Sequence, residues 1–267
     1  MNALEKYKNR VKQTQTLLCV GLDSEWDKIP KRFKDSNTPQ FDFNKWIIDQ
    51  THDSACAYKP NLAFYEARGE QGIHELQVTM DYLRAKHPTI FTIADAKRGD
   101  IGNTNQGYVT AIFDTLGFDA VTLHPYLGQE AIQPFLDRKD KVSIFLCKTS
   151  NPGAGEFQDL LLDGKPLWMH VAMRVSSTWN THNNCMLVVG ATYPTELQAI
   201  RKVVGSMPFL VPGVGAQGGD IHEVLQAGLS ANKSDLLINV SRNILFANDP
   251  KLEAEKLTAI IKEHLLK

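Results

Sequence analysis

Short apolar runs rich in Val, Ile, Leu and Phe recur along this chain, and segments of helical period separate them. That alternation is the pattern of a parallel sheet with crossover helices. The strand candidates are Leu17 to Leu22, Ala55 to Tyr58, Ile90 to Ala94, Ala120 to Leu123, Val142 to Cys147, Met186 to Val189, Phe209 to Val211 and Leu236 to Val240, eight in all. Between them Ile73, Leu76, Met80 and Leu83 step by three and four, as do Val109, Ile112, Phe113 and Leu116. Leu167, Val171, Val175 and Trp179 repeat the spacing, and so do Leu257, Ile261 and Leu265 in the stretch after Pro250. Each set makes one apolar stripe on a helix, which a helix packed on a sheet requires.

An open doubly wound sheet and a closed barrel both satisfy this alternation. Eight strands with no G-x-G-x-x-G turn after the first favour closure. A chain of 267 residues, 43% of them apolar, is long enough for one large core, and no linker rich in Pro, Gly or Ser divides it. The expected fold is therefore α/β, a (β/α)₈ TIM barrel, as a single domain over residues 1–267 with an N-terminal helical segment. The longest connection, 151–184, is expected to hold a helix of its own.

A formal net charge of -1 and a pI near 6.7 give no general attraction to nucleic acid or to an anionic membrane, so an anionic ligand needs a local site. No apolar run reaches the roughly 18 residues of a membrane span. The first residues, MNALEKYKNRVKQTQ, are polar where a secretory signal is apolar, and a cytoplasmic location is expected. Cys19, Cys56, Cys147 and Cys185 lie far apart with no C-x-x-C pair, so they read as reduced, buried thiols.

Reactive groups of such barrels collect at the carboxyl ends of the strands. Here those ends are polar throughout: Asp23, then Lys59-Pro60-Asn61, then Asp95-Ala96-Lys97 with Asp100 following. His124, Lys148-Thr149-Ser150-Asn151, Gly190, Gly213 to Gln217, and Asn239 to Arg242 complete the rim. Strand residues two apart share a face, so Asp95 and Lys97 both face the barrel mouth. Carboxylates around the ammonium groups of Lys59 and Lys97 make an alternating charge network that keeps each lysine protonated and able to donate. The same grouping also fits a purely structural ion-pair network. It disfavours Schiff-base chemistry, which needs a lysine of lowered pKa.

Gly213, Gly215, Gly218 and Gly219 after the seventh strand let backbone N–H groups approach an anion, and Arg242 beyond the eighth offers a planar fork for phosphate oxygens. That pair of loops is where such barrels commonly hold phosphate. His124 lacks partners at metal-ligand spacing and reads as a rim hydrogen-bonding residue; no metal signature is present, and no metal or cofactor is expected.

Taken together, G-L-D at 21–23, Y-K-P-N at 58–61, A-D-A-K-R-G-D-I-G-N-T at 94–104, H-P-Y-L-G at 124–128, T-S-N-P at 149–152, P-G-V-G-A-Q-G-G at 212–219 and N-V-S-R at 239–242 resemble the orotidine 5'-phosphate decarboxylase family, in its longer bacterial (type 2) branch. The resemblance spans nearly the whole chain in the family's order. It implies decarboxylation of orotidine 5'-phosphate to uridine 5'-phosphate and CO2 in pyrimidine synthesis, without a cofactor. It further implies that Asp23 and Lys59 hold the ribose hydroxyls, that Asp95, Lys97 and Asp100 act at the pyrimidine carboxylate, and that Lys97 protonates C6. Ser150 and Pro212 would lie at the pyrimidine, and Gly215, Gln217 and Arg242 at the phosphate. Ile101 and Thr104, with Asp100, would reach the ligand of a neighbouring subunit, so a homodimer is implied. Asn243 departs from the glycine common in this branch. The rival reading within the superfamily is a magnesium-dependent sugar-phosphate enzyme, which usually carries a further acid where this chain has Ile93; a barrel that merely binds nucleotide phosphate is the rival outside it.

Overall fold

The computed structural model describes residues 1–266. Eight parallel strands close into a barrel: β1 (Leu18–Gly21), β2 (Ala57–Lys59), β3 (Phe91–Arg98), β4 (Ala120–Leu123), β5 (Val142–Lys148), β6 (Cys185–Val189), β7 (Phe209–Pro212) and β8 (Leu236–Val240). Each strand pairs with its sequence neighbours, and β1 closes the ring against β8 with Leu18 opposite Ile238. The strands are buried along nearly their whole length because side chains fill the barrel on one face and helices cover the other. All eight expected strands are present, and their bounds shift by at most a few residues.

The main helices are α1 (Ala3–Thr14), α2 (Pro39–Thr51), α3 (Gly69–Lys86), α4 (Gly102–Val109), α5 (Gly128–Leu136), α6 (Leu167–Arg174), α7 (Pro194–Val204), α8 (Ile221–Gly228) and α9 (Pro250–Leu266). Helix α6 is the helix expected within 151–184, and it runs on into a π-turn, Val175–Trp179, that keeps Val175 and Trp179 buried. No described helix is long and apolar enough to cross a membrane. All four cysteines are buried and unpaired, and burial raises the thiol pKa of each, that of Cys19 to about 12.

One stripe differs from expectation. Ile73 is exposed, whereas Leu76, Met80 and Leu83 are buried alongside Gly72, Glu75 and Thr79. The reason is close packing at Gly72, where a Cβ would come 2.0 Å from the Tyr65 carbonyl oxygen and turn the helix away. Glu75 is buried because it accepts from the backbone N–H groups of Gln40 (2.6 Å) and Phe41 (2.9 Å) and pairs with Arg68 (2.7 Å), tying α3 to the start of α2.

Helix α1 starts in a capping box between Asn2 and Glu5 and lies across the amino ends of the strands. Its Tyr7 hydroxyl donates to the Leu236 carbonyl at the start of β8 (2.8 Å), Lys6 pairs with Asp119 before β4 (2.7 Å), and Arg10 donates to Ala55 before β2 (3.2 Å). The bottom of the barrel is thus shut, and only the carboxyl end is open. Tyr7→Phe is expected to lower the urea midpoint with an unchanged m value, by a loss of about 1–3 kcal/mol for the buried carbonyl left unpaired. An unchanged midpoint would show that α1 is held without this bond.

Candidate active site

At the carboxyl end the barrel opens into a cavity of about 480 Å³, within the range of small-molecule sites. Leu146, Val188 and Leu210 from β5, β6 and β7 make an apolar floor. Asp23, Lys59, Asp95 and Lys97 form one wall, and Gly213, Gln217, Ser241 and Arg242 lie along another.

The charged wall is organised around Asp95. Its Oδ2 accepts from Lys59 Nζ at 2.8 Å, and its Oδ1 accepts from Lys97 Nζ at 2.6 Å and from Thr122 Oγ1 at 3.0 Å. Asp23 Oδ1 stands 3.7 Å from Lys59 Nζ, is buried, and makes no hydrogen bond of its own. Lys59 is only 3% exposed while Lys97 is 49% exposed, so one lysine is sealed in the wall and the other reaches into the opening. Burial alone would raise the Asp95 pKa, but Lys59 and then Lys97 outweigh it and hold the carboxyl well below the usual carboxylate range. Burial likewise pulls Lys59 downward, and Asp23 and Asp95 more than reverse this, leaving it above its ordinary value.

Lys97 does not reach the cavity by strand alternation. Along β3, Ala94 pairs with Val121 and Arg98 with Leu123, so Asp95, Ala96 and Lys97 together face only Thr122. Lys97 takes a left-handed backbone, φ 48°, uncommon for a residue with a side chain. A bulge therefore aims the ammonium at Asp95.

On the opposite wall the loop after β7 folds on itself, with Val214 bridged to Gly219 and positive φ at Gly213 (101°) and Gly215 (71°). A side chain at Gly213 would meet Gln217 Oε1 at 2.9 Å, and one at Gly215 would meet Asn243 Nδ2 at 2.4 Å. Asn243 thus fits by packing over Gly215. Arg242 opens a short helical turn after β8, lines the cavity, and donates to the Ala216 carbonyl at 3.4 Å. Gly21 is needed where β1 passes β8, because a Cβ there would lie 1.9 Å from Ser241 Oγ.

Of the residues expected at the site, Asp23, Lys59, Asp95, Lys97, Ser150, Pro212, Gln217 and Arg242 line one cavity. Gly215 does not line it and lies against Asn243. Asp100 does not join the lysines within this chain: its carboxylate accepts from the Ile101 N–H (2.7 Å), and its own N–H is held by Asn105 (2.9 Å). Ile101 and Thr104 are exposed beside it, outside the cavity. His124 meets the Gly99 carbonyl (2.9 Å), in keeping with a rim hydrogen-bonding residue. The polar lining residues that sequence reasoning missed are Thr122 and Gln158, whereas Asn239, read as part of the rim, does line the cavity. Thr122 had a usable signal, since it is polar within an otherwise apolar buried strand. Asn239 Oδ1 is buried without a partner, as a ligand-contacting atom can be.

The model of the Orotidine 5'-phosphate decarboxylase / HUMPS family matches residues 16–257. This chain belongs to that family. It is 48% identical over 251 residues to an orotidine 5'-phosphate decarboxylase of Cellvibrio japonicus, covering 93% of this chain and 91% of the relative. It is 44% identical over 264 residues to the one of Janthinobacterium sp., covering 98% and 96%. The structure of Leishmania donovani OMP decarboxylase superposes with a TM-score of 0.90 at 38% identity over 100% of both chains. Among the described residues of this decarboxylase-family chain, no group of three or more His, Cys, Asp or Glu is arranged to hold a metal ion.

The charge network has a defined pH dependence. Asp95, with its pKa depressed by folding, adds stability that is complete above the unfolded carboxylate value of about 4 and is lost as pH falls toward the folded value. Lys59, with its pKa raised, adds stability that is complete below about pH 10 and is lost only above it. Asp95→Asn is therefore expected to be less stable than wild type at pH 7, with the gap narrowing progressively as pH falls from about 5 to about 2, as followed by urea unfolding. A gap that stays constant over that range would contradict the depressed carboxyl.

Proposed function

We propose that this chain decarboxylates orotidine 5'-phosphate to uridine 5'-phosphate and CO2, through the Asp/Lys network and without a metal. The observation that carries the reading is the ion pair of Lys97 and Asp95 at 2.6 Å on the wall of a cavity of small-molecule size, locked from behind by buried Lys59. The names of the relatives and the phosphate-suited loop opposite support the same reading.

Breaking the bond between C6 and the carboxylate leaves its electron pair on C6 as CO2 departs. Fixed charge must stabilise that carbanion, and a preorganised ammonium in a cavity does so without reorganisation at the moment of reaction. Lys97 then transfers its proton to C6 and regains one from solvent. Asp95 holds Lys97 in place and disfavours the substrate carboxylate as a second anion nearby. So difficult a reaction calls for a barrier reduction on the order of 20 kcal/mol, more than one ion pair supplies. Binding energy from Gln217, Arg242 and the glycine loop at the phosphate supplies part of the rest by holding the ring against Lys97.

Asp23 and Lys59 suit the ribose hydroxyls, and Ser150 with Pro212 the ring. Half-buried Asp100 with exposed Ile101 and Thr104 suits contact with a second copy, whose cavity Asp100 would complete as a further carboxylate. The magnesium-dependent sugar-phosphate alternative is disfavoured by Ile93, fully buried and apolar where such enzymes usually carry a further acid.

Purified protein mixed with orotidine 5'-phosphate in excess EDTA is expected to deplete the substrate absorbance at the rate seen without chelator. Lys97→Ala is expected to abolish turnover with an unchanged circular dichroism spectrum, and Arg242→Ala mainly to raise KM. Near-normal kcat in Lys97→Ala would refute the proton donor, and activity lost to EDTA would favour the metal-dependent alternative.

A further inference from the structure

The side chain of Thr122 is assigned no part in the proposed chemistry, yet its hydroxyl meets the β3 bulge from β4. It is buried and makes three hydrogen bonds: it accepts from the backbone N–H of Ala96 (3.0 Å) and of Lys97 (2.9 Å), and it donates to Asp95 Oδ1 (3.0 Å). A hydroxyl has one donor and two acceptor positions, so its capacity is used in full and its proton has one direction. The ladder between β3 and β4 lapses from Ala94 to Arg98, and those two N–H groups have no β4 carbonyl to meet. A single oxygen therefore stands in for the missing ladder. The same oxygen orients the carboxylate oxygen that receives Lys97 Nζ.

We propose that Thr122 is a positioning residue, whose hydroxyl holds the left-handed turn at Lys97 and the Asp95 carboxylate in one geometry, so that the ammonium is fixed before substrate arrives. This rests on the decarboxylase reading above for its consequence in turnover, and on geometry alone for its hold on the bulge. Val has nearly the same shape without the hydroxyl, so Thr122→Val leaves two N–H groups and one carboxylate oxygen without their partner, whereas Thr122→Ser keeps the oxygen.

Two readouts test it. With orotidine 5'-phosphate, Thr122→Val is expected to lose about a hundredfold in kcat, the scale of a small misplacement of a reacting group, with KM and uridine 5'-phosphate affinity changed by less than about threefold. Thr122→Ser is expected to stay within about threefold of wild type in kcat. By amide hydrogen exchange, protection of Ala96 and Lys97 is expected to fall in the Val variant and persist in the Ser variant. Equal loss in Val and Ser, or a Val variant with wild-type kcat and wild-type protection, overturns the inference. Should Thr122→Val fail to fold, Thr122→Ala is read against Ser by the same criteria. A wild-type protein without turnover would overturn the decarboxylase reading instead, and the exchange measurement would still decide whether Thr122 holds the bulge.

Discussion

The site depends on one carboxylate placed between two lysines. Asp95 receives Lys59 on one oxygen and Lys97 on the other, at 2.8 and 2.6 Å. A buried carboxylate with a single partner would be costly and prone to take up a proton; with two it stays ionised through the neutral range. The pairing is asymmetric. Lys59 is sealed in the wall by Asp23 and Asp95, which leaves Lys97 as the cation of this group that reaches into the opening.

The barrel makes that asymmetry possible. Lys59 leaves β2 and Asp95 leaves β3, neighbouring strands whose ends converge on the mouth, while α1 shuts the other end with Tyr7, Lys6 and Arg10. The phosphate-suited loop lies after β7, across an apolar floor, so a ligand held there by its phosphate would bring its far end to the charged wall. Positive φ at Gly213 and Gly215 shapes that loop, and Asn243 is accommodated because nothing projects from Gly215. In the proposed reaction, affinity and chemistry thus occupy different walls of one cavity.

Much of this was legible in the residues. The eight strands followed from apolar runs of strand length, and the charged cluster followed from asking what ends each run. What was not legible depended on contacts distant in sequence. Ile73 has the spacing of its stripe, but Gly72 packs on Tyr65 and rotates the helix. Alternation put Asp95 and Lys97 on one face, whereas the structure brings them together through a bulge that no local pattern announces. Thr122, the side chain opposite that bulge, is 25 residues from Lys97 along the chain, and its only trace was a hydroxyl in a buried strand. Asp100 lies three residues from Lys97 yet turns to the loop before α4, because Asn105 and the Ile101 amide hold it there.

The most direct test of the account is a crystal structure of the protein with uridine 5'-phosphate bound. If Lys97 is the proton donor, its Nζ is expected within about 3–3.5 Å of C6 while it still touches Asp95. A bound nucleotide with C6 out of reach of Lys97, or with Lys97 parted from Asp95 and directed to solvent, would contradict it.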